Sequence, residues 1–169
     1  MMTLTGAWDV EFDAKWFYPD NGTGGKMHFE QLTDWTTHPE AAVKYYSGIA
    51  VYRKTFDFPP PATRTPALSL DLGEVKNLAR VKLNGRDLGI VWTAPWQVEI
   101  QQGLIKEKGN ALEIEVANLW PNRLIGDAML PPDRRRTRTN VGTYNSEKKG
   151  FRSGLLGPVL LMTAERVVK

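Results

Sequence analysis

The sequence predicts an all-β protein of two packed sheets with one short helix. Apolar and polar residues alternate with period two in several stretches, turn chemistry punctuates the intervals, and helical spacing appears only once. Trp8, Val10 and Phe12 alternate with Asp9, Glu11 and Asp13; Leu68, Leu70 and Leu72 with Ser69 and Asp71; Trp96, Val98 and Ile100 with Gln97 and Glu99; Leu112, Ile114 and Val116 with Glu113 and Glu115. Each stretch is a strand with one wet face. GIAVYRKTFDF (48–58) and PVLLMTAERV (158–167) bring the expected count to seven to nine, a number suited to two layers.

The turns agree. Asn84-Gly85 supplies the two positive-φ positions of a type I′ hairpin, and Lys108-Gly109-Asn110 closes another connection. PPPATRTP (59–66) is too rich in proline for a ladder strand and reads as a surface crossing. PEAAVKYY (39–46) is the one helical segment, with Pro39 in a first-turn position and Ser47-Gly48 ending it. Residues 13–38 and 118–157 show weak periodicity and read as long irregular loops, the kind that carry function or lean on a partner.

The chain of 169 residues reads as a single domain, 1–169, large enough to fold without staples. It contains no cysteine, which removes disulfides, thiolate metal sites and cysteine nucleophiles together. No stretch reaches the ~20 apolar residues of a membrane span, and MMTLTGAWDV lacks the regions of a secretory signal. Strand-like alternation starts almost at once, so the chain reads as a fragment of a longer protein. The net charge is +3 with a pI near 9.2, yet the basic residues Arg134, Arg135, Arg136 and Arg138 form one local run without interleaved aromatics. That pattern argues against nucleic acid as a partner.

Most catalytic chemistry lacks a motif here. His28 and His38 have no metal-ligand spacing, and no nucleophile elbow, P-loop or dinucleotide fingerprint occurs, so no cofactor is expected. A glycosidase needs only two carboxylates at the right separation; Asp20, Asp34, Glu74, Asp127 and Asp133 are loop candidates, although acidic side chains usually remain solvated. Binding has more support. Six tryptophans, five tyrosines and six phenylalanines exceed what one sandwich core needs. A pyranose offers C–H groups to a flat ring and hydroxyls to Arg, Asn or Asp at its rim. Candidate sugar-binding residues are therefore Trp16, Tyr18, Trp35, Trp92, Trp120, Asn122, Arg123, Arg134 and Arg136. Parity assigns Trp8 and Trp96 to the core; Trp16, Trp35, Trp92 and Trp120 are open between core and platform. The arginine run would favour uronate or sulfate groups.

YYSGIAVYRKTFDFP, LDLGEVKNLARVKLNGRDLGIVW, GNALEIEVANLWPNRLIGD and SGLLGPVLL, in this order, resemble the galactose-binding-like jelly-roll domain attached to bacterial glycoside hydrolases. The domain is similar to the family 2 sugar-binding domain, with a stronger likeness to the C-terminal region of family 106 α-L-rhamnosidases. The resemblance implies a jelly-roll β-sandwich that is a non-catalytic module of a secreted or periplasmic glycoside hydrolase. Its expected partners are a plant or algal polysaccharide or oligosaccharide, acidic or rhamnose-containing, and the catalytic domain of the parent enzyme. The resemblance also implies, for some members, a structural calcium ion, for which the Asp13 to Asn21 loop would supply oxygens. Two other readings stand beside this one: a structural domain that packs on a catalytic domain without touching sugar, and a small polysaccharide-degrading enzyme.

Overall fold

The computed structural model describes residues 1–18, 22–59, 67–140, 142, 144, 145 and 147–164. Twelve strands occur among them: β1 (Met2–Thr3), β2 (Trp8–Phe12), β3 (Lys26–Phe29), β4 (Ile49–Phe56), β5 (Ala67–Asp71), β6 (Glu74–Lys76), β7 (Leu78–Leu83), β8 (Arg86–Val91), β9 (Gln97–Ile100), β10 (Asn110–Ala117), β11 (Gly154–Gly157) and β12 (Leu160–Ala164). They form a six-stranded sheet in the order β3-β2-β4-β10-β7-β8, a four-stranded sheet in the order β1-β12-β5-β9, and a small β11-β6 pair. Every strand pairing is antiparallel, and the fold is an all-β sandwich.

Period-two patterning explains the layers. Trp8, Val10 and Phe12 of β2, Ala50, Tyr52 and Phe56 of β4, Ala79, Val81 and Leu83 of β7, and Leu112, Ile114 and Val116 of β10 are buried. They share one core with Leu68 and Leu70 of β5, Val98 and Ile100 of β9, and Leu161 of β12. Slipping any of these strands by one residue would expose its whole apolar set, so the register is fixed by burial. The β7–β8 hairpin closes as expected: Leu83 pairs with Arg86 across Asn84 and Gly85, whose φ values are 51° and 79°. Asn84 is also fastened through its side chain, which donates to Leu104 O at 2.8 Å and accepts from Ala111 N at 2.9 Å.

The opposite face of the six-stranded sheet is a charged ladder. Arg53 on β4 bridges Glu11 on β2 and Glu113 on β10, Lys82 on β7 bridges Glu113 and Glu115, and Arg80 pairs with Asp87. Glu11, Arg53, Arg80, Lys82, Glu113 and Glu115 each adjoin a buried residue on their strand, which places them on the wet side, and Asp87 reaches Arg80 diagonally from β8.

Three expectations need correction. The helix expected over 39–46 is shorter, α1 (Ala41–Lys44). A second helix, α2 (Pro121–Ala128), occupies part of the stretch read as irregular. Its eight residues include Asn, Gly and Asp, which dilute the helical period, while Pro121 at the first helical position costs nothing there. The strand count also exceeds seven to nine, because β1, β3, β6 and β11 are only two to four residues long and too short to show a period, with β3 lying inside the 13–38 stretch read as irregular. The 59–66 crossing lies, apart from Pro59, outside the described residues.

Candidate functional site

The candidate residues concentrate around α2 and the loop that follows β2. A run of buried polar groups holds them. Asn122 donates from Nδ2 to Phe151 O (2.7 Å) and Ser153 Oγ (2.8 Å), and its Oδ1 accepts from Phe151 N (2.7 Å). Asn118 donates to Tyr46 O at 2.9 Å and accepts from Gly48 N at 2.9 Å. Ser47 Oγ donates to Leu119 O and accepts from Arg123 N. The long segment before β11 is therefore fastened to the β10–α2 junction by side chains of the NLWPNRLIGD motif.

Arg123 and Asp127 form a buried pair, Nη2 to Oδ1 at 3.1 Å, one helical turn apart. Burial pushes the Arg123 guanidinium down, opposed by the Asp127 carboxylate and reinforced by nearby Arg136. Arg123 also donates from Nη1 to Tyr18 O at 3.1 Å. Asp127 Oδ2 accepts from Thr137 N (2.7 Å), Thr137 Oγ1 (2.6 Å) and Arg136 N (3.1 Å). Asn122 and Arg123 are thus not rim groups awaiting hydroxyls, because their polar atoms are turned inward onto backbone and carboxylate. Trp35 requires the same correction. It is fully enclosed, and its indole N–H is bonded to Tyr52 Oη. Trp8 sits in the core as expected, whereas Trp96 is only partly buried and packs against the core.

The remaining aromatics do reach the surface. Trp16 and Trp120 meet edge to face, with ring centroids 5.2 Å apart at 86°, and Trp120 remains 49% exposed. Lys15 Nζ lies 5.1 Å from the centre of the Trp16 ring. The Arg136 guanidinium covers the Tyr18 ring at 4.5 Å and donates to Lys15 O at 3.1 Å. Arg134 is exposed at the end of a 3-10 turn, Pro132–Arg134. Two indoles at a right angle, with two cations beside them, make a corner able to offer C–H/π contact and charge to one ligand. Trp92 stands elsewhere, one residue past β8, and is 73% exposed.

The acidic candidates are engaged by local partners, and Arg152 joins two of them, with its Nε 3.5 Å from Asp34 Oδ2 and its Nη2 3.0 Å from Glu74 Oε2. Asp34 caps the 3-10 turn Trp35–Thr37, accepting from Thr36 N at 3.0 Å, and Glu74 takes a two-point contact from Arg152 at 3.0 Å each. Glu74 is held below the usual carboxylate range, first by Lys76 and then by Arg152. Asp133 is exposed, and Asp20 lies outside the described residues. In the loop expected to favour calcium, Asp13 Oδ1 accepts from Lys15 N, and 19–21 lie outside the described residues. Among the described residues no three His, Asp or Glu side chains are grouped to hold a metal, and no helix is long and apolar enough to cross a membrane.

No protein-family model matches the chain. It is 36% identical to a Formosa agariphila protein named "Putative beta-glucuronidase", over 92% of this chain and 15% of that protein. Among solved structures it is similar to the rhamnosidase from Novosphingobium sp. PP1Y, with 38% identity and a TM-score of 0.83 over 95% of this chain and 15% of that one. Ruminococcus gnavus β-glucuronidase shares the fold at a TM-score of 0.55 and 17% identity, over 69% of this chain and 21% of that one. The chain therefore corresponds to one region, about a seventh of the length, of the two glycoside hydrolases it matches at 36% and 38% identity.

Proposed function

We propose that the chain is a non-catalytic accessory domain of a glycoside hydrolase, and that the Trp16–Trp120 corner is its contact for an acidic or rhamnose-bearing glycan. The observation that carries the accessory role is the asymmetry of coverage: nearly all of this chain matches, yet only 15% of each relative does. The engagement of the acidic side chains supports a non-catalytic role, since hydrolysis needs two carboxyls facing one glycosidic bond, whereas Asp34 and Glu74 are both held by Arg152 and Asp127 is buried against Arg123. Secretion or a periplasmic location belongs to the same reading.

The half-exposed Trp120 and the partly buried Trp16 carry the glycan contact, with Lys15 and Arg136 beside them as the source of an anion preference. A second reading, packing on a catalytic domain without sugar, is favoured by the inward engagement of Asn122 and Arg123. Affinity gels containing polygalacturonate, a rhamnose-bearing pectin or a neutral β-glucan, each at two salt concentrations, test the choice. Retardation by an acidic gel that weakens with salt and disappears in Trp120→Ala is the expected result. Equal migration in all gels, or retardation unchanged in both Trp16→Ala and Trp120→Ala, removes the glycan role.

A further inference from the structure

The cations beside the Trp16–Trp120 corner differ from others on the molecule. Arg53, Arg80 and Lys82 on the sheet, Arg123 in α2 and Arg152 before β11 each meet a carboxylate. The side chains of Lys15 and Arg136 meet none among the described residues. Arg136 is nonetheless fixed at both ends. Its backbone N donates to Asp127 Oδ2 at 3.1 Å, its guanidinium lies over the Tyr18 ring at 4.5 Å, and its Nη1 donates to Lys15 O at 3.1 Å. Its Nε and Nη2 have no partner among the described residues, and the residue is exposed. The fixed guanidinium adjoins the indoles, because the carbonyl it holds belongs to the residue before Trp16, whose ring meets Trp120 at 5.2 Å.

Resting on the glycan reading of this corner, we infer that Arg136 determines its specificity, as a preset fork for the planar carboxylate of a uronosyl unit whose ring lies on Trp120. Geometry selects the group. The Nε–Nη2 edge of a guanidinium offers two parallel N–H donors in one plane, and a carboxylate returns two oxygens in that plane. A sulfate ester has a third oxygen outside it, on a guanidinium with one face already closed by Tyr18. The carboxyl of a uronosyl ring projects from its rim, so stacking the ring face on an indole leaves the carboxylate at the edge, where an arginine can meet it. Fixing Arg136 before the ligand arrives also reduces the rotamer entropy lost on binding. The neighbouring Arg135 is unsuited to the task, since its Nε already donates to Leu130 O. Lys15 is a point charge above Trp16 and draws any anion alike. Selection among anions falls to Arg136.

Affinity electrophoresis of the full chain tests this in four gels: polygalacturonate, glucuronan, fully methyl-esterified polygalacturonate and dextran sulfate. Retardation by both uronate polymers is expected, with affinity for the ester at least about tenfold weaker, as for the loss of one charge-assisted hydrogen bond. Arg136→Lys keeps the charge and the backbone N–H but not the fork. It is expected to bring the uronate affinity down to that for the ester and to leave dextran sulfate unchanged. Lys15→Gln is expected to weaken uronate and sulfate polymers by the same factor. Equal affinity for acid and ester, tighter binding of dextran sulfate than of either uronate, or a wild-type acid-to-ester ratio in Arg136→Lys overturns the inference. Retardation confined to a neutral glycan does the same, and in each of these cases loss of the retardation in Trp120→Ala leaves the glycan reading standing. No Trp120-dependent retardation in any acidic, esterified or neutral gel overturns both. Should Arg136→Lys fail to fold, the acid-to-ester ratio of the unaltered chain decides.

Discussion

The indole Nε1 of Trp35 donates a hydrogen bond of 2.6 Å to Tyr52 Oη, and neither side chain reaches solvent. The same oxygen accepts from Leu155 N at 3.3 Å. One phenol thus satisfies two buried donors, one from the 3-10 turn before α1 and one from β11, and ties both to β4. Gly154 brings β11 this close: its φ of +102° and its approach to Trp35, where a Cβ would stand 2.5 Å from Nε1, both exclude a side chain. Tyr52→Phe keeps the ring and orphans both donors, so a loss of about 1–3 kcal/mol for each is expected in chemical denaturation. A loss below about 0.5 kcal/mol in total, less than the cost of one orphaned donor, would show that the two donors find other partners.

The same burial sets an alkaline limit. Desolvation pushes the Tyr52 phenol well above its ordinary value of 10.0, outweighing the hydrogen bonds it accepts from Leu155 and Trp35. The unfolded chain then loses this proton above about pH 10 while the folded chain keeps it. The Tyr52 contribution is flat below pH 10, and stability falls as pH rises through it, by at most about 1.4 kcal/mol per pH unit. Denaturation curves from pH 8 to 11.5 should show the wild type losing stability above pH 10 more steeply than Tyr52→Phe. Parallel profiles would mean that the phenol ionises in the folded state.

Gly126 has a separate steric role. It faces α1's C-terminal neighbour Tyr45 from within α2, and a Cβ there would stand 2.6 Å from Tyr45 Cβ and 2.8 Å from Arg123 Nη2. Alanine is the better helix former by about 1 kcal/mol, but Tyr45 Cβ is anchored to backbone and must move with it. Overpacking of this kind costs about 1–3 kcal/mol. Gly126→Ala is expected to be destabilising by about 1 kcal/mol after that offset, with the Arg123 contacts displaced. A more stable variant would show that α2 slides without strain.

Much of the sandwich was legible because burial imposes period two on Trp8 to Phe12, Leu68 to Leu72 and Leu112 to Val116, and because Asn84-Gly85 can close a hairpin in few ways. The site was less legible for a physical reason. Trp35, Asn122 and Arg123 lie in segments without a period, where sequence gives no parity from which to read inside from outside. Composition made Asn122 and Arg123 look like a sugar rim, whereas the fold uses Asn122 to fasten the chain before β11 and Arg123 to hold Tyr18 O and the Asp127 carboxylate. Trp16 and Trp120 are 104 residues apart, by subtraction of their positions, and only the folded chain brings their rings together. A signal for the buried pair did exist: Arg123 and Asp127 have the i, i+4 spacing of a helical contact directly after a proline suited to a helix start.

Asp127 combines two tasks that can be separated. Its Oδ1 faces Arg123 Nη2 at 3.1 Å, with both side chains at most 3% exposed, and its Oδ2 collects Thr137 N, Thr137 Oγ1 and Arg136 N. Arg123 Nε has no hydrogen-bond partner among the described residues, so the guanidinium leans on this carboxylate for its charge. Asp127→Asn keeps an acceptor for the 136–137 backbone and removes the counter-charge; leaving a buried cation uncompensated costs about 3–5 kcal/mol. Asp127→Ala removes the acceptor as well and should also free the Arg134 to Arg138 run, read as faster tryptic cleavage there under native conditions. Replacing both partners, Arg123→Met with Asp127→Leu, should recover much of the stability lost by Asp127→Asn, because an apolar pair leaves no buried charge. It should not restore protection of the arginine run, since Thr137 and Arg136 N would still lack their acceptor. Recovery of both together would mean that the loop is held by packing instead of by the carboxylate.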